Sequence, residues 1–246
     1  MKTVLITGSS SGFGMETANY FLSQGWSVIA TMRTPAVNLL SDSEHLTILP
    51  LDVSDISSIE KVVASTGPID VLVNNAGIGV MGALEGITTS TIQDVFAVNV
   101  LGTINLTKAF LPMFREQRSG VIINVSSVIT QLPLPLLSVY TASKAAVNAF
   151  TESLAIELEQ FGIRAHLVLP GRAPATRFGE NSKSRMATAI PQPYASFAQS
   201  VFKGRNDSSI THPKDVVDAI WRAATDHTTP RKVLAGEDAE ALVQNA

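Results

Sequence analysis

Short apolar runs of strand length alternate with stretches of helical period from one end of the chain to the other. The runs predict strands at Thr3–Thr7, Ser27–Thr31, Leu46–Leu51, Ile69–Asn74, Gly120–Val125, Ala165–Leu169 and Lys232–Ala235. Several, such as Val4-Leu5-Ile6 and Val121-Ile122-Ile123, are continuous rather than alternating, the pattern of a strand covered on both faces. The stretches between them predict helices near Gly12–Gln24, Ser54–Ser65, Thr88–Arg118, Ser138–Phe161, Pro213–Ala224 and Asp238–Gln244. Gly102 inside the longest of these predicts a bend or break. Pro213 suits a first helical turn, with Thr211 or His212 as its cap. Strand–helix alternation of this kind predicts an α/β fold, a doubly wound parallel sheet of about seven strands with helices on both faces, Rossmann-like. The rhythm breaks between Arg172 and Ser209, where three Pro, scattered basic residues, Tyr194, Phe197 and Phe202 carry only a weak helical period. A long irregular insert in a compact α/β unit is usually a binding loop, so residues 172–209 are expected to form a substrate lid.

Composition narrows the picture. With 246 residues and no repeat, low-complexity tract or linker, one domain over 1–246 is the better count against a norm of about 150 residues per domain. Hydrophobic residues make up 45 % and charged ones 16 %, enough for a large core that must be mostly aliphatic because aromatics are only 6 %. Net charge is −3 with no basic block, which argues against nucleic-acid or anionic-membrane partners. The absence of Cys excludes disulfides, thiolate metal sites and a Cys nucleophile. His45, His166, His212 and His227 are scattered, with no pair at ligand spacing, so no metal is expected. The N-terminal apolar run is too short for a signal peptide and no uninterrupted apolar run is long enough to span a bilayer, giving the expectation of a soluble, cytoplasmic protein.

Two ends of the chain's chemistry can then be read. Gly8-Ser9-Ser10-Ser11-Gly12-Phe13-Gly14 follows the first strand and opens the first helix. Glycines there let backbone N–H groups approach a pyrophosphate, which the helix N-terminus favours electrostatically. The spacing is G-x-x-x-G-x-G, not the commoner G-x-G-x-x-G, so the strand before and helix after carry much of the weight. The second strand runs into Arg33 and Thr34 with no acidic residue for a ribose 2′-hydroxyl; Arg33 can instead pair with a 2′-phosphate, Ser11 and Thr34 donating hydroxyls, or be an ordinary solvated Arg. Asp52, with Val53 beside it, is placed to accept from an adenine amino group, or merely to support its turn while Ser54 caps the next helix. Asn75, Ala76 and Gly77 close the fourth strand, where small residues allow close approach to a ribose, or make an ordinary Asn-rich turn.

Tyr140 and Lys144 are four apart on one helix and therefore share a face. A phenol of pKa about 10 is a poor acid–base group at neutral pH, and a nearby ammonium together with a positively charged nicotinamide would pull it toward the working range. Ser127 stands just past the fifth strand, where ligands gather in an open α/β sheet, and its hydroxyl can hold a substrate oxygen beside Tyr140. Taken singly, each has a structural reading: a packed Tyr, a solvated Lys, a cap.

Together with Thr7–Gly14, Asn74–Gly77, Asn99, Ser126-Ser127 and Pro170-Gly171, the Tyr140-Thr-Ala-Ser-Lys144 segment resembles the short-chain dehydrogenase/reductase family, Ser127 lying 13 residues before Tyr140 as that family has it. The resemblance is close over Lys2 to Leu169 and looser beyond. It implies a Rossmann-type domain, a nicotinamide cofactor and reversible alcohol–carbonyl chemistry. Tyr140 would be the general acid, Lys144 would bind the nicotinamide ribose and lower the Tyr140 pKa, and Ser127 would hold the reacting oxygen. Asn99 would hold a water linking Lys144 to solvent; Pro170, Gly171 and Thr176 would line the nicotinamide, Thr176 one place later than the family's usual Thr, where Ala175 stands.

Ile129, Leu132 and Leu134, with Phe178, Tyr194, Phe197 and Phe202 from the lid, are expected to wall an apolar pocket, although Arg172, Arg177 and Arg185 are nearby in sequence. The leading expectation is an NADP(H)-dependent carbonyl reductase or ketoreductase acting on a small-molecule ketone, aldehyde or alcohol. The alternatives are an NAD(H)-preferring alcohol dehydrogenase of the same fold and a non-catalytic nicotinamide-nucleotide sensor. Ala142, Ala145, Ala146 and Ala149 give the Tyr140 helix a small-residue surface, which either packs on the sheet or permits a homodimer or homotetramer of the kind the family forms.

Overall fold

The computed structural model describes residues 1–174, 190–203 and 210–244. Seven strands, β1 (Thr3–Thr7), β2 (Ser27–Met32), β3 (Leu46–Pro50), β4 (Val71–Asn74), β5 (Gly120–Val125), β6 (Ile163–Pro170) and β7 (Lys232–Ala235), form one sheet in the order β3-β2-β1-β4-β5-β6-β7. Every pairing is parallel. The order reverses between β1 and β4, which opens a crevice at the carboxyl ends of those strands.

The continuous apolar runs have the cause expected of them. Successive side chains of a strand point to opposite faces, and both faces are covered. Val4, Ile6, Val28, Val73 and Ile123 pack with Ala18 and Phe21 of α1 (Gly12–Ser23) and with Val216, Ile220 and Ala223 of the later helix Pro213–Thr225. Leu5, Leu72 and Ile122 pack on the other side with Ile59 and Val62 of α2 (Ile56–Ser65), Leu106, Phe110 and Phe114 of Thr103–Gln117, and Leu154 of Ser138–Leu158.

Several element bounds shift for identifiable reasons. Asp55, not Ser54, caps α2, its carboxylate accepting from Ser57 N at 2.9 Å. β6 starts earlier than the apolar run because Arg164 belongs to the strand; its guanidinium reaches the carbonyls of Ala223 and Ala224 at the end of the Pro213 helix. The long helix is not broken at Gly102. It runs as α3 (Thr89–Phe96), a π-helical turn (Ala97–Gly102) and α4 (Thr103–Gln117). Gly102 serves contact there, since a Cβ would stand 2.9 Å from Val53 O. By length and composition Thr89–Gln117 is also sufficient to cross a membrane, which a count of uninterrupted apolar residues overlooks; its Leu106, Phe110 and Phe114 are buried in the core.

After α5 (Ser138–Leu158), the described part of the expected lid contains a helix, α6 (Ala195–Lys203), rather than irregular chain alone. Ala198 packs it against Ala83 and Leu136. α7 (Pro213–Thr225) takes His212 as its cap, and α8 (Glu237–Gln244) follows β7. On α5, Ala142, Ala145 and Ala149 are exposed rather than packed on the sheet.

Candidate functional site

A cleft of about 1560 Å³ runs along the carboxyl ends of the strands. At one end Gly8, Ser10, Ser11, Gly12 and Phe13 line it, with Arg33, Asp52 and Val53 beyond them. Gly8 and Gly12 take left-handed backbone angles, φ 70° and 55°, which glycine adopts without strain. Gly14 lies behind the wall rather than on it, so close to Gly8 that a Cβ would strike the Gly8 carbonyl. The N-terminus of α1 carries no side-chain cap, since the Ser11 hydroxyl makes no such bond. An uncapped helix start behind a glycine turn suits a phosphate group, whose oxygens accept from the first-turn N–H groups.

Asn75 holds this turn from the neighbouring strand. Its Nδ2 donates to Thr7 O at 2.8 Å and Gly8 O at 3.3 Å, while Asn75 N and Ala76 N donate to Thr7 Oγ1 at 2.9 Å. Asn75, Ala76 and Gly77 also line the cleft. Arg33 is exposed on the wall; Thr34, exposed beyond it, does not line the cleft. The Asp52 carboxylate is held below the ordinary carboxylate range chiefly by the Ser54 hydroxyl, which donates to it at 2.6 Å, with Arg33 adding a smaller pull. Asp52 therefore does support its turn, and it does so while facing the cleft.

At the other end Ser127, Tyr140 and Lys144 meet. Ser127 follows β5 and caps a short 3-10 turn (Val128–Thr130); its hydroxyl is hydrogen-bonded to the Tyr140 phenol. Lys144 is buried and its Nζ donates to Val125 O at 2.9 Å. Burial drives this ammonium from 10.5 down to about 8. In the protein alone, burial pushes the Tyr140 phenol above 10.0, and the Ser127 hydrogen bond offsets only part of that. In this structure the phenol is a proton donor at neutral pH.

Asn99 is 1 % exposed under the cleft wall. Its Oδ1 accepts from Ile78 N at 2.8 Å, and its Nδ2 donates to Ile78 O at 2.9 Å and Ser143 Oγ at 3.0 Å. Both side-chain N–H groups are committed, so the amide fixes the Ile78 backbone. Gly77 packs close beside it: a Cβ would stand 3.3 Å from Asn99 Oδ1 and 3.5 Å from Lys144 Nζ.

Pro170 and Gly171 line the cleft beside Lys144's end. This turn is fixed by Asp238, which sequence patterning offers no reason to single out, and by Thr211, expected only as a possible cap of the Pro213 helix. Asp238 Oδ2 accepts from Arg172 N at 2.6 Å, and Thr211 Oγ1 accepts from Gly171 N at 2.9 Å while bonded to Asp238 Oδ1 at 2.6 Å. An acidic residue in a helix's first turn is ordinary, so Asp238 gives no signal until β7 returns it to the cleft. Ile129, Leu132 and Leu134 line the cleft as expected, joined by Val80, Met81 and Leu242. Tyr194 and Phe197 do not: Tyr194 packs by Ala83 and Leu136 and bonds Glu85, and Phe197 is exposed. Thr176, Phe178, Arg177, Arg185 and the Phe202 side chain lie outside the described residues.

Residues 2–186 match the family model described as short chain dehydrogenase. The 3-ketodihydrosphingosine reductase of Bacteroides thetaiotaomicron is 34 % identical over 237 residues, 96 % of this chain and 88 % of that protein. Retinol dehydrogenase 8 of Bos taurus is 40 % identical over 202 residues, 76 % of this chain and 64 % of that protein. Among solved structures, a short-chain dehydrogenase from Streptomyces avermitilis superposes with a TM-score of 0.82 at 32 % identity, covering 99 % of this chain and 91 % of that one. The closed form of a serine dehydrogenase complexed with NADP+ superposes with a TM-score of 0.81 at 29 % identity, covering 95 % and 94 %.

Proposed function

The chain belongs to the short-chain dehydrogenase family, an oxidoreductase that uses a nicotinamide cofactor, and on that premise we propose that it interconverts a mainly apolar ketone or aldehyde and the corresponding alcohol with NADP(H). The observation that carries this reading is the Ser127–Tyr140 hydrogen bond beside a buried Lys144, in the same cleft as the glycine turn. The bound nicotinamide supplies the hydride in reduction and accepts it in oxidation. Gly8, Ser10, Ser11, Gly12 and Phe13 hold the pyrophosphate, with Gly14 keeping the turn closed. Arg33 would hold the 2′-phosphate, Asp52 and Val53 the adenine, and Asn75, Ala76 and Gly77 the ribose. Pro170 and Gly171 wall the nicotinamide.

The substrate oxygen sits between the Ser127 hydroxyl and the Tyr140 phenol, in place of their mutual bond. As hydride arrives at carbon, the phenol proton passes to that oxygen, so the raised phenol pKa favours the form needed for reduction. Lys144, charged below about pH 8, stabilises the phenolate that this leaves. Asn99 acts one layer out by fixing Ile78 on the cleft wall.

The apolar side chains of Val80, Met81, Ile129, Leu132, Leu134 and Leu242 support an apolar substrate, and the related 3-ketodihydrosphingosine reductase and retinol dehydrogenase are named for lipid-like ones. Exposed Ala142, Ala145 and Ala149, with Ile156 65 % and Leu101 54 % exposed, support a second copy of this chain across α5 and the π-helical turn. The test is oxidation of NADPH and NADH with a panel of phenyl, long-chain and carboxylated ketones, wild type beside Arg33→Ala. The substitution should raise the NADPH KM roughly tenfold or more and leave that of NADH nearly unchanged, the loss of one charge-assisted phosphate pair. Equal effects on both cofactors, or higher efficiency with keto acids, would overturn the cofactor or substrate assignment respectively.

A further inference from the structure

One turn beyond Lys144, α5 carries Asn148, an 8 % exposed amide with no direct place in the cleft wall. Its two ends are bound to the residues on either side of the Ser127 turn. Ser126 Oγ donates to Asn148 Oδ1 at 2.5 Å, and Asn148 Nδ2 donates to Thr130 Oγ1 at 2.8 Å. Thr130 Oγ1 in turn donates to Ser127 O at 2.9 Å. The direction of this chain follows from the orientation of the Asn148 amide. An amide oxygen only accepts and its NH2 only donates, so Thr130, receiving from Asn148, keeps its single proton for the Ser127 carbonyl.

The Ser127 end of the turn needs such support. Gln131 N closes the far end on Val128 O at 2.8 Å, but the closures on Ser127 itself are long: Thr130 N reaches Ser127 O at 3.3 Å and Ile129 N reaches Ser127 Oγ at 3.4 Å. The side-chain bonds that run through Asn148 are shorter than these two. They also tie the turn to the helix that bears Tyr140 and Lys144, so one rigid element sets the Ser127 hydroxyl against the phenol. The pair is thus placed from behind by a residue that touches neither substrate nor cofactor.

We propose that Asn148 is a positioning residue for Ser127, holding the Ser127–Thr130 turn to α5 through Ser126 and Thr130 in the one hydrogen-bond direction that leaves Thr130 to bind the Ser127 carbonyl. This rests on the reductase reading above for its effect on rate, and on geometry alone for its effect on the turn. Asn148→Asp is the informative variant because it keeps shape but reverses the demand. A carboxylate accepts at both ends, so Thr130 must turn its proton to it and release Ser127 O.

Two measurements test this on the full-length protein. With saturating NADPH and the best ketone of the panel, Asn148→Asp, Asn148→Leu and Thr130→Val should each lower kcat by roughly 10- to 100-fold, the scale of a small misplacement of a reacting group. The NADPH KM should stay within about twofold, since no cofactor contact is removed. Asn148→Leu and Thr130→Val combined should lose no more than either alone, as members of one chain. Independently of turnover, hydrogen exchange at the amides of Ile129, Thr130 and Gln131 should quicken several-fold in each variant, with β1 and α1 unchanged. Should Asn148→Leu not fold, Thr130→Val and Asn148→Asp carry the same test. Unchanged exchange at those amides, or a kcat loss matched by an equal rise in NADPH KM, would overturn the proposal. Wild-type protein that turns over no ketone would sink the reductase reading while the exchange result still decides whether Asn148 holds the turn.

Discussion

Replacing Gly14 with Ala asks whether the phosphate turn is held closed by contact. Gly14 lies buried in the first turn of α1 and has no left-handed angle to satisfy. Backbone preference alone would therefore favour Ala by about 1 kcal/mol in a helix. Space argues the other way. A Cβ would strike the Gly8 carbonyl, stand 2.5 Å from Asn75 Nδ2 and 2.9 Å from Gly8 C. Gly8 has no room to retreat, because its own Cβ position is already 2.9 Å from Ala76 Cα. Asn75 can move only by giving up its bonds to Thr7 O and Gly8 O. Leaving such a partly buried carbonyl unpaired costs about 1–3 kcal/mol, and forcing α1 outward costs a similar ~1–3 kcal/mol. Set against the helical gain of about 1 kcal/mol, the two costs together leave an expected net loss of about 1–5 kcal/mol. Gly67→Ala is the control: nothing lies within 4 Å of its Cβ position and its φ is ordinary, so it should change stability by no more than about 1 kcal/mol, in the favourable direction. Urea unfolding followed by Trp fluorescence measures both, and titration with NADPH reads the turn directly, with binding expected to weaken at least tenfold in Gly14→Ala. If Gly14→Ala is as stable as Gly67→Ala and binds NADPH as wild type does, the contact argument is wrong.

Lys144 gives a pH signature. Its ammonium falls from 10.5 to about 8 on burial, so between those values the unfolded chain holds more protons than the folded one. Stability of wild type relative to Lys144→Met should therefore be flat below pH 8 and rise by roughly 3 kcal/mol between pH 8 and 10.5; parallel urea midpoints across that window would contradict it. Asp238 should tolerate Asn better than Ala. Asn keeps an oxygen for Arg172 N and can donate to Thr211 Oγ1, whose proton then goes to Ala235 O at 2.9 Å. Asp238→Ala should cost about 1–3 kcal/mol by thermal unfolding, Asp238→Asn distinctly less, and equal losses would refute the hydrogen-bond account.

The strands were the most legible part of the chain. Runs such as Val121–Val125 can be satisfied only by burial on two faces, and that requirement alone yields a parallel sheet with helices on both sides. The cleft's two ends were legible for a related reason: glycine after a strand, and Tyr and Lys at helical spacing, have few structural uses in common. What escaped was whatever depends on a distant partner. Gly102 reads as a helix breaker on propensity, yet its small size serves the contact with Val53 across the fold. α6 spans only Ala195–Lys203, too short for its period to stand out after Pro191 and Pro193. Sequence shows the Lys four residues after Tyr140 but not the burial that raises the phenol's pKa in the protein alone. Asn99 and Asn148 are ordinary polar helix positions in sequence. They gain meaning only when the sheet closes and their amides meet Ile78, Ser126 and Thr130.

The most direct test of the proposed chemistry is Tyr140→Phe in NADPH oxidation with an apolar ketone. The substitution removes one hydroxyl from the half-buried ring and leaves the glycine turn, Arg33 and Lys144 untouched. Loss of a positioned general acid predicts a fall in kcat/KM of roughly 100- to 10,000-fold, with NADPH affinity within about twofold of wild type because the phosphate end is intact. Turnover by Tyr140→Phe close to the wild-type rate would show that the proton comes from elsewhere, and the account of this cleft would fail at its centre.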